Sequence, residues 1–288
     1  MPGTLFIVAT PIGNLEDLTP RALRVLGEVD LIACEDTRHT RGLLNRFGIK
    51  AKTISYHEHN ERERAAELCK LLEAGSNVAL VSDAGTPLIS DPGFRIVGDA
   101  IVRGIAVIPI PGPAAFVAAL TASGLPTDRF FFAGFLPPRA TARRAMLAEL
   151  RAIPATLIFY EAPHRIAATL KDALNTLGNR PAAVARELTK LHEEIARGSL
   201  SELAQRFSAG APARGEMVLI INGATETEIR ADLNSEDAPA RLAARIAELE
   251  REGLDAKAAL KKAARELGLK RAEAYRLMVA QKKRSSDD

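Results

Sequence analysis

The sequence predicts an α/β protein: two α/β domains, plus a small C-terminal helical extension. Three observations carry the prediction. Short apolar runs alternate with amphipathic stretches through residues 1–120, and a second, differently punctuated series of strands and helices fills 121–223. A polar, acidic linker at 224–239 then separates this body from a basic, helix-patterned tail at 240–288.

In the first domain, strands are predicted at Leu5–Ala9, Leu31–Cys34, Thr53–Tyr56, Val78–Val81 and Ala106–Ile110. Helical patterns lie between them at Pro20–Leu26, Arg38–Phe47, Arg62–Glu73 and Gly93–Val102. Strands apolar on both faces and separated by helices indicate a mostly parallel, covered sheet. A further helix starting near Pro113 leads across to the second domain, with the boundary within Ala119–Asp128. There the strands are Phe130–Phe135, Thr156–Tyr160, Ala182–Glu187, Glu194–Gly198 and Met217–Ile221, with helices near Ala142–Leu150, Arg165–Leu177 and Leu200–Phe207. The mixed spacings predict a mixed sheet. The tail reads as helices at Ala240–Arg251, Ala256–Glu266 and Arg271–Gln281, with Gly268 at a turn in a helix-turn-helix outline.

Composition narrows the class. The chain of 288 residues is 47% hydrophobic and 26% charged, an ordinary composition for a soluble globular protein. A chain this long buries roughly 75% of its unfolded surface and needs no disulfide staples. Cys34 and Cys69 are its two cysteines, expected as reduced core residues of a cytoplasmic protein, with no metal site. No apolar stretch approaches the roughly 20 residues of a membrane span, and the opening strand with no charged leader predicts no secretory signal. From Arg241 to Arg284 there are 13 basic and 6 acidic residues, a net of +7 against −4 for the remainder. Such a tail suits an anionic partner or a solvated helical face; charge alone leaves both open.

The chemistry is concentrated in loops that leave the carboxyl ends of the predicted parallel strands. "PIGN", "CEDTRHT", "DAGTPLISDPG" and "PGPAA" all emerge on the edge where open α/β sheets bind ligands. The third exceeds the usual strand-to-helix turn of about two to six residues. It is stiffened by Pro87 and Pro92, carries Asp83 at its root, and ends at Asp91-Pro92, expected to cap and start a helix. Neither a P-loop nor the dinucleotide fingerprint is present. Four unusual loops on one edge predict an adenosine-sized, largely backbone-lined pocket.

"ATPIGNLEDLTPRAL", "ACEDTRHT", "VSDAGTPLISDPG", "PIPGPAA", "FYEAPHRI" and "RELTK", in that order over Thr4–Asn222, resemble the tetrapyrrole-methylase superfamily of S-adenosylmethionine-dependent methyltransferases. Within it they are similar to the branch that methylates a cytidine ribose 2′-oxygen at the decoding centre of 16S ribosomal RNA. The resemblance implies two α/β domains with S-adenosylmethionine in the cleft between them, no metal, a homodimer, and 16S rRNA, within the 30S subunit, as partner. It implies cofactor binding by Pro11, Gly13, Asp83, Gly85, Thr86, Pro111, Gly112, Ala114, Tyr160 and Glu161. It also implies a general base at Asp36, by analogy with uroporphyrinogen-methylating relatives; a helix cap is the other reading of that residue. Glu187 and Lys190 are further catalytic candidates, the lysine as a stabiliser of a developing alkoxide. Arg38, His39, Arg41, His57, His164, Arg165 and Arg186 are candidates for holding RNA. Two other functions stay open: methylation of a tetrapyrrole or other small substrate, which gives the basic tail no task, and a DNA-binding regulator that senses a ligand.

Overall fold

A computed structural model of the chain describes residues 1–209, 215–228, 238–267, 269 and 273–278. The first sheet consists of β1 (Thr4–Val8), β2 (Leu31–Cys34), β3 (Thr53–Ser55), β4 (Val78–Val81) and β5 (Ala106–Ile110). All are parallel, in the order β3-β2-β4-β1-β5. Helices α1 (Pro20–Glu28) and α2 (Thr37–Arg46) cover one face; α3 (Glu61–Glu73) and α4 (Phe94–Val102) cover the other. β4 shows why its sequence is apolar throughout. Val78 and Leu80 enter the core under α3 and α4, while Ala79 and Val81 enter the core under α1 and α2.

The strand order creates a switch point. The connection from β1 leads to β2 on one side, and the connection from β4 leads to β5 on the other. The loops leaving adjacent β1 and β4 therefore part in opposite directions, and a crevice opens at their carboxyl ends.

The second sheet contains β6 (Phe130–Phe135), β7 (Thr156–Glu161), β8 (Pro181–Arg186), β9 (Glu194–Ser199) and β10 (Met217–Ile221), in the order β6-β7-β10-β8-β9. β6 and β7 are parallel and the other pairs antiparallel, as the mixed spacings predict. Helices α6 (Ala140–Leu150), α7 (Ile166–Leu177) and α8 (Leu200–Ala209) bury one face. α5 (Ala115–Ser123) packs beneath the other, where Ala119 and Leu120 meet Ile158, Ala183, Val218 and Ile220. Ile12, from the loop after β1, joins the same cluster. α5, which spans the expected boundary at 120/121, packs against the second sheet. Its buried residues Ala119, Leu120 and Ser123 face the sheet, while Val117 and Thr121 are exposed.

Residues 224–228 are fastened to the second domain. The Ala224 N–H donates to the Ile153 carbonyl at 2.9 Å, and Glu228 pairs with the buried Arg180 at 3.2 Å. The rest of the expected linker up to residue 237 lies outside the described residues, as does the turn at Gly268. Beyond it, α9 (Ala238–Arg251) and α10 (Ala256–Glu266, capped by Asp255) build a core of their own from Leu242, Leu249, Ala259 and Ala263. Of the third predicted helix, residues 273–278 are described and are helical. No described helix is long and apolar enough to cross a membrane.

Because the extension has a separate core, a chain ending at Asp237 is expected to fold. Calorimetry should show the main transition within about 2–4 °C of its place in the full chain, the shift that ~1 kcal/mol produces in a domain of this size. A larger fall would show that the extension supports the body.

Candidate active site

Three loops are sewn into one wall. The N–H of Thr10, just after β1, donates to the Gly85 carbonyl at 2.9 Å, and the Gly85 N–H donates back to Thr10 O at 3.0 Å. The Thr10 hydroxyl donates to Ser82 O at 3.0 Å, and the Thr86 hydroxyl donates to Pro113 O at 3.0 Å. Loops from β1, β4 and β5 thereby hold one another. Gly85 has φ +83°, and a Cβ there would lie 3.2 Å from Ile12 Cγ2. Both the left-handed backbone and the close approach require glycine. Leu88 and Ser90 also hold positive φ, 71° and 66°, a conformation that side chains disfavour and that the surrounding bonds and packing must impose.

The end of this loop differs from expectation. α4 starts at Phe94 with Gly93 as its N-cap, and Asp91 does not cap it. The free amides at the helix start are taken instead by Glu61, at the start of α3. Its Oε1 accepts from Gly93 N at 3.2 Å, from Arg95 N at 3.3 Å and from the Tyr56 hydroxyl at 3.0 Å. A carboxylate suits a helix N-terminus. Relieved of that role, Asp91 lines the cleft.

The opposite wall comes from the second domain. Tyr160 and Glu161 at the end of β7, Phe135 at the end of β6, Leu188 after β8 and Met217 at the start of β10 close a cavity of about 400 Å³. That size falls within the range of small-molecule sites. Glu161 is buried, accepts from the Thr169 hydroxyl at 2.6 Å and pairs with Arg165 at 3.0 Å. Arg165 in turn donates to the Leu136 carbonyl at 2.5 Å, which fixes the chain after β6. Gly13 lets the two domains close. A Cβ there would come 2.5 Å from Lys190 Cγ and 2.8 Å from Thr189 Oγ1.

Of the residues expected to hold the cofactor, Asp83, Gly85, Thr86, Ala114, Tyr160 and Glu161 line this cavity. Pro11, Gly13, Pro111 and Gly112 are in the same loops but not among the lining residues. Asp36 stands at the start of α2. Its carboxylate caps α2, accepting from Arg38 N at 2.7 Å and pairing with the Arg38 guanidinium at 3.0 Å. Those bonds hold its pKa down to about 2, and the residue is not part of the lining. Asp83 Oδ1 accepts from Asp36 N at 3.1 Å, so the ends of β2 and β4 are tied as well.

Glu187 and Lys190 bond each other at 2.9 Å, and Lys190 also reaches Glu216 at 3.2 Å. The Lys190 bond lowers the Glu187 pKa; burial would lower that of Lys190, but its two carboxylate partners outweigh burial and raise it. Both groups are therefore charged at neutral pH. Among the expected RNA contacts, Arg165 is committed to Glu161, and Arg186 pairs with Glu194 at 2.7 Å. Arg41 donates to the Thr53 hydroxyl at 3.1 Å, and the His57 ring meets Asn60 at 3.2 Å. Arg38, His39 and His164 are exposed.

Sequence reasoning missed Ile12, Ile89, Phe135, Leu188 and Met217, apolar residues whose place in the lining depends on how two domains meet. It also missed Asp91. Burial first, then Glu35 and Asp83 nearby, push its pKa up to about 6. The available signal was a second carboxylate in the same stiff loop.

Asp36→Ala tests the cap. Its folded-state pKa of about 2 lies below the ordinary 3.8, so the cap stabilises the fold above about pH 4 and fades as pH falls toward 2. Thermal melts should show the variant less stable than wild type from pH 5 to 8, with the gap closing in acid. Equal melting temperatures at pH 7 would refute this.

Comparison with known proteins agrees with this architecture. Residues 4–204 match the family described as Tetrapyrrole (Corrin/Porphyrin) Methylases. The chain is 53% identical over 229 residues to ribosomal RNA small subunit methyltransferase I of Mesorhizobium japonicum, covering 79% of this chain and 77% of that protein. It is 49% identical over 278 residues to the protein of that name from a Synechocystis strain, covering 96% and 98%. Among solved structures, its fold is similar to uroporphyrin-III C-methyltransferase from Thermus thermophilus complexed with S-adenosylhomocysteine, with TM-score 0.53, 21% identity and coverage of 80% and 100%. A diphthine synthase gives TM-score 0.59 at 16% identity, covering 78% and 92%. The chain belongs to the tetrapyrrole methylase family, in the group of ribosomal RNA small subunit methyltransferase I proteins.

Proposed function

We propose that this protein transfers a methyl group from S-adenosylmethionine to the ribose 2′-oxygen of a cytidine in 16S rRNA at the decoding centre. The substrate is rRNA within the 30S subunit, and the enzyme works as a cytoplasmic homodimer. The observation that carries the reading is the cleft itself. A cavity of adenosine size stands at the switch point of a parallel sheet, walled by cross-bonded loops on one side and by β7, β8 and β10 on the other. Its lining suits the cofactor. Apolar side chains and backbone accommodate an adenosyl group, while Asp83 and Glu161 offer negative charge to a sulfonium and an amino group. At Gly85 the loop presents backbone to the cavity, and a Cβ there would press on Ile12.

The transfer is an in-line displacement, so the protein must align donor and acceptor and receive one proton. Metal is not required. Arg38, His39 and His164 are exposed and serve in this reading as phosphate contacts, and the Glu187–Lys190 pair holds the loop after β8 against Gly13. The basic extension supplies further RNA affinity. On α10, Lys257, Lys261 and Arg265 recur at helical spacing on the exposed side.

Incubation with labelled cofactor and, in parallel, 30S subunits, naked 16S rRNA or a tetrapyrrole precursor tests the function. Label should enter 30S subunits, and mass spectrometry should place it on a cytidine ribose; label on the tetrapyrrole alone would refute the reading. Gly85→Arg should weaken cofactor binding by ~10- to 100-fold, the equivalent of ~1.4–2.8 kcal/mol, by strain and by filling the crevice. Unchanged affinity in calorimetry would remove this loop from the site. Ending the chain at Asp237 should weaken RNA binding and flatten its salt dependence, by roughly 0.7 in the log–log slope for each single-strand phosphate that the tail no longer neutralises. An unchanged slope would assign the tail another task.

A further inference from the structure

We propose that Asp91 is the general base of the reaction, taking the proton of the attacking hydroxyl. The inference rests on the methyl-transfer reading above. Of the carboxylates that line the cleft, it is the one that no ammonium, guanidinium or backbone amide engages. Asp36 is bound to Arg38 and stands outside the lining. Glu161 is occupied by Arg165, Thr169 and the Ala162 amide. Glu187 and Glu216 share the Lys190 ammonium. Asp83 accepts from the Asp36 amide and so serves to join two loops.

Asp91 lines the cavity, and Glu61 relieves it of the cap it was placed to make. The nearby Ser82 hydroxyl, which donates to Ala84 O at 3.4 Å and Gly85 O at 3.3 Å, opposes the rise in its pKa. The groups facing it from the packed elements are acidic or neutral: Glu35 at the end of β2, Asp83 at the end of β4, and Tyr160 and Glu161 at the end of β7. Burial first, then Glu35 and Asp83, raise its proton affinity and push its pKa up to about 6. A base of that strength is ionised at neutral pH yet binds a proton more readily than an ordinary aspartate. The strained residues Leu88 and Ser90 just before it are consistent with a loop held in shape to present one side chain.

In the transfer step, the hydroxyl O–H bond breaks as its proton passes to Asp91, and an oxygen lone pair forms the new O–CH₃ bond. The S–CH₃ bond breaks with its electron pair staying on sulfur, so the sulfonium becomes a neutral thioether. Asp91 then releases its proton to solvent.

Asp91→Asn tests the assignment in the full-length protein. Three results are expected. Calorimetric affinity for S-adenosylmethionine stays within about threefold of wild type. Single-turnover methylation of 30S subunits falls by ~10²–10⁴, and the rise of rate through about pH 6 disappears, with partial rescue in Asp91→Glu. The protein without cofactor melts higher than wild type at pH 8 and equally at pH 4, because wild type loses stability as pH rises through the raised folded-state value.

A variant with the wild-type rate and pH profile overturns the proposal. So does one that has lost cofactor binding, which would make Asp91 a cofactor ligand, and so do melting curves that match wild type at every pH. Wild-type protein that binds the cofactor yet methylates none of the acceptors sinks the functional reading instead. The variant's cofactor affinity and melting curves distinguish that failure from a failure at Asp91.

Discussion

The pair of backbone hydrogen bonds between Thr10 and Gly85 is the constraint on which the site depends. It joins loops whose connections leave the sheet in opposite directions, and so keeps the crevice between them from being filled by either loop. Gly85 makes the bond pair possible, since a residue with a Cβ would strain the left-handed backbone and press on Ile12. Ile12, set by the same pairing, reaches into the apolar cluster beneath the second sheet. One local contact thus shapes the crevice and also anchors the second domain across it.

The site's electrostatics follow from how its carboxylates are satisfied. Four of them serve the scaffold: Asp36 as a cap, Asp83 as a tie between strand ends, Glu61 as a remote cap for α4, and Glu161 at the centre of a buried network. Each holds amides, hydroxyls or a guanidinium, and at Asp36 those bonds favour the ionised form. Asp91 lies among carboxylates, and burial pushes it the other way. Two aspartates in neighbouring loops differ by about four pH units in proton affinity, held down to about 2 at Asp36 and pushed up to about 6 at Asp91. Environment, more than residue type, separates scaffold from chemistry.

Much of the fold was legible because its signals are local. Val78–Val81 reads as a doubly covered strand from four apolar residues in a row, and Thr19-Pro20 reads as the cap and first turn of α1, where the Thr19 hydroxyl accepts from Ala22 N at 3.1 Å. The ligand-binding edge was legible for the same reason. Gly85, Pro87 and Pro92 restrict the backbone wherever they occur, so a stiff loop after β4 follows from composition alone.

What the sequence determined by itself, then, is the alternation of elements, the edge that carries the loops, the charge division between body and tail, and the family pattern. What tertiary structure decided is the task of each charged side chain. Asp91 reads as a helix cap in the sequence, yet in the fold Glu61, thirty residues earlier, holds the α4 amides. Asp36, offered either as a base or as a cap, makes the cap of α2 in the fold. The apolar lining from Phe135, Leu188 and Met217 likewise appears only once β6, β8 and β10 close over the first domain's loops. The physical reason is common to all three. Backbone preference is written in neighbouring residues, whereas a carboxylate's partner and a cavity's wall arrive from whatever the fold brings within a few ångströms.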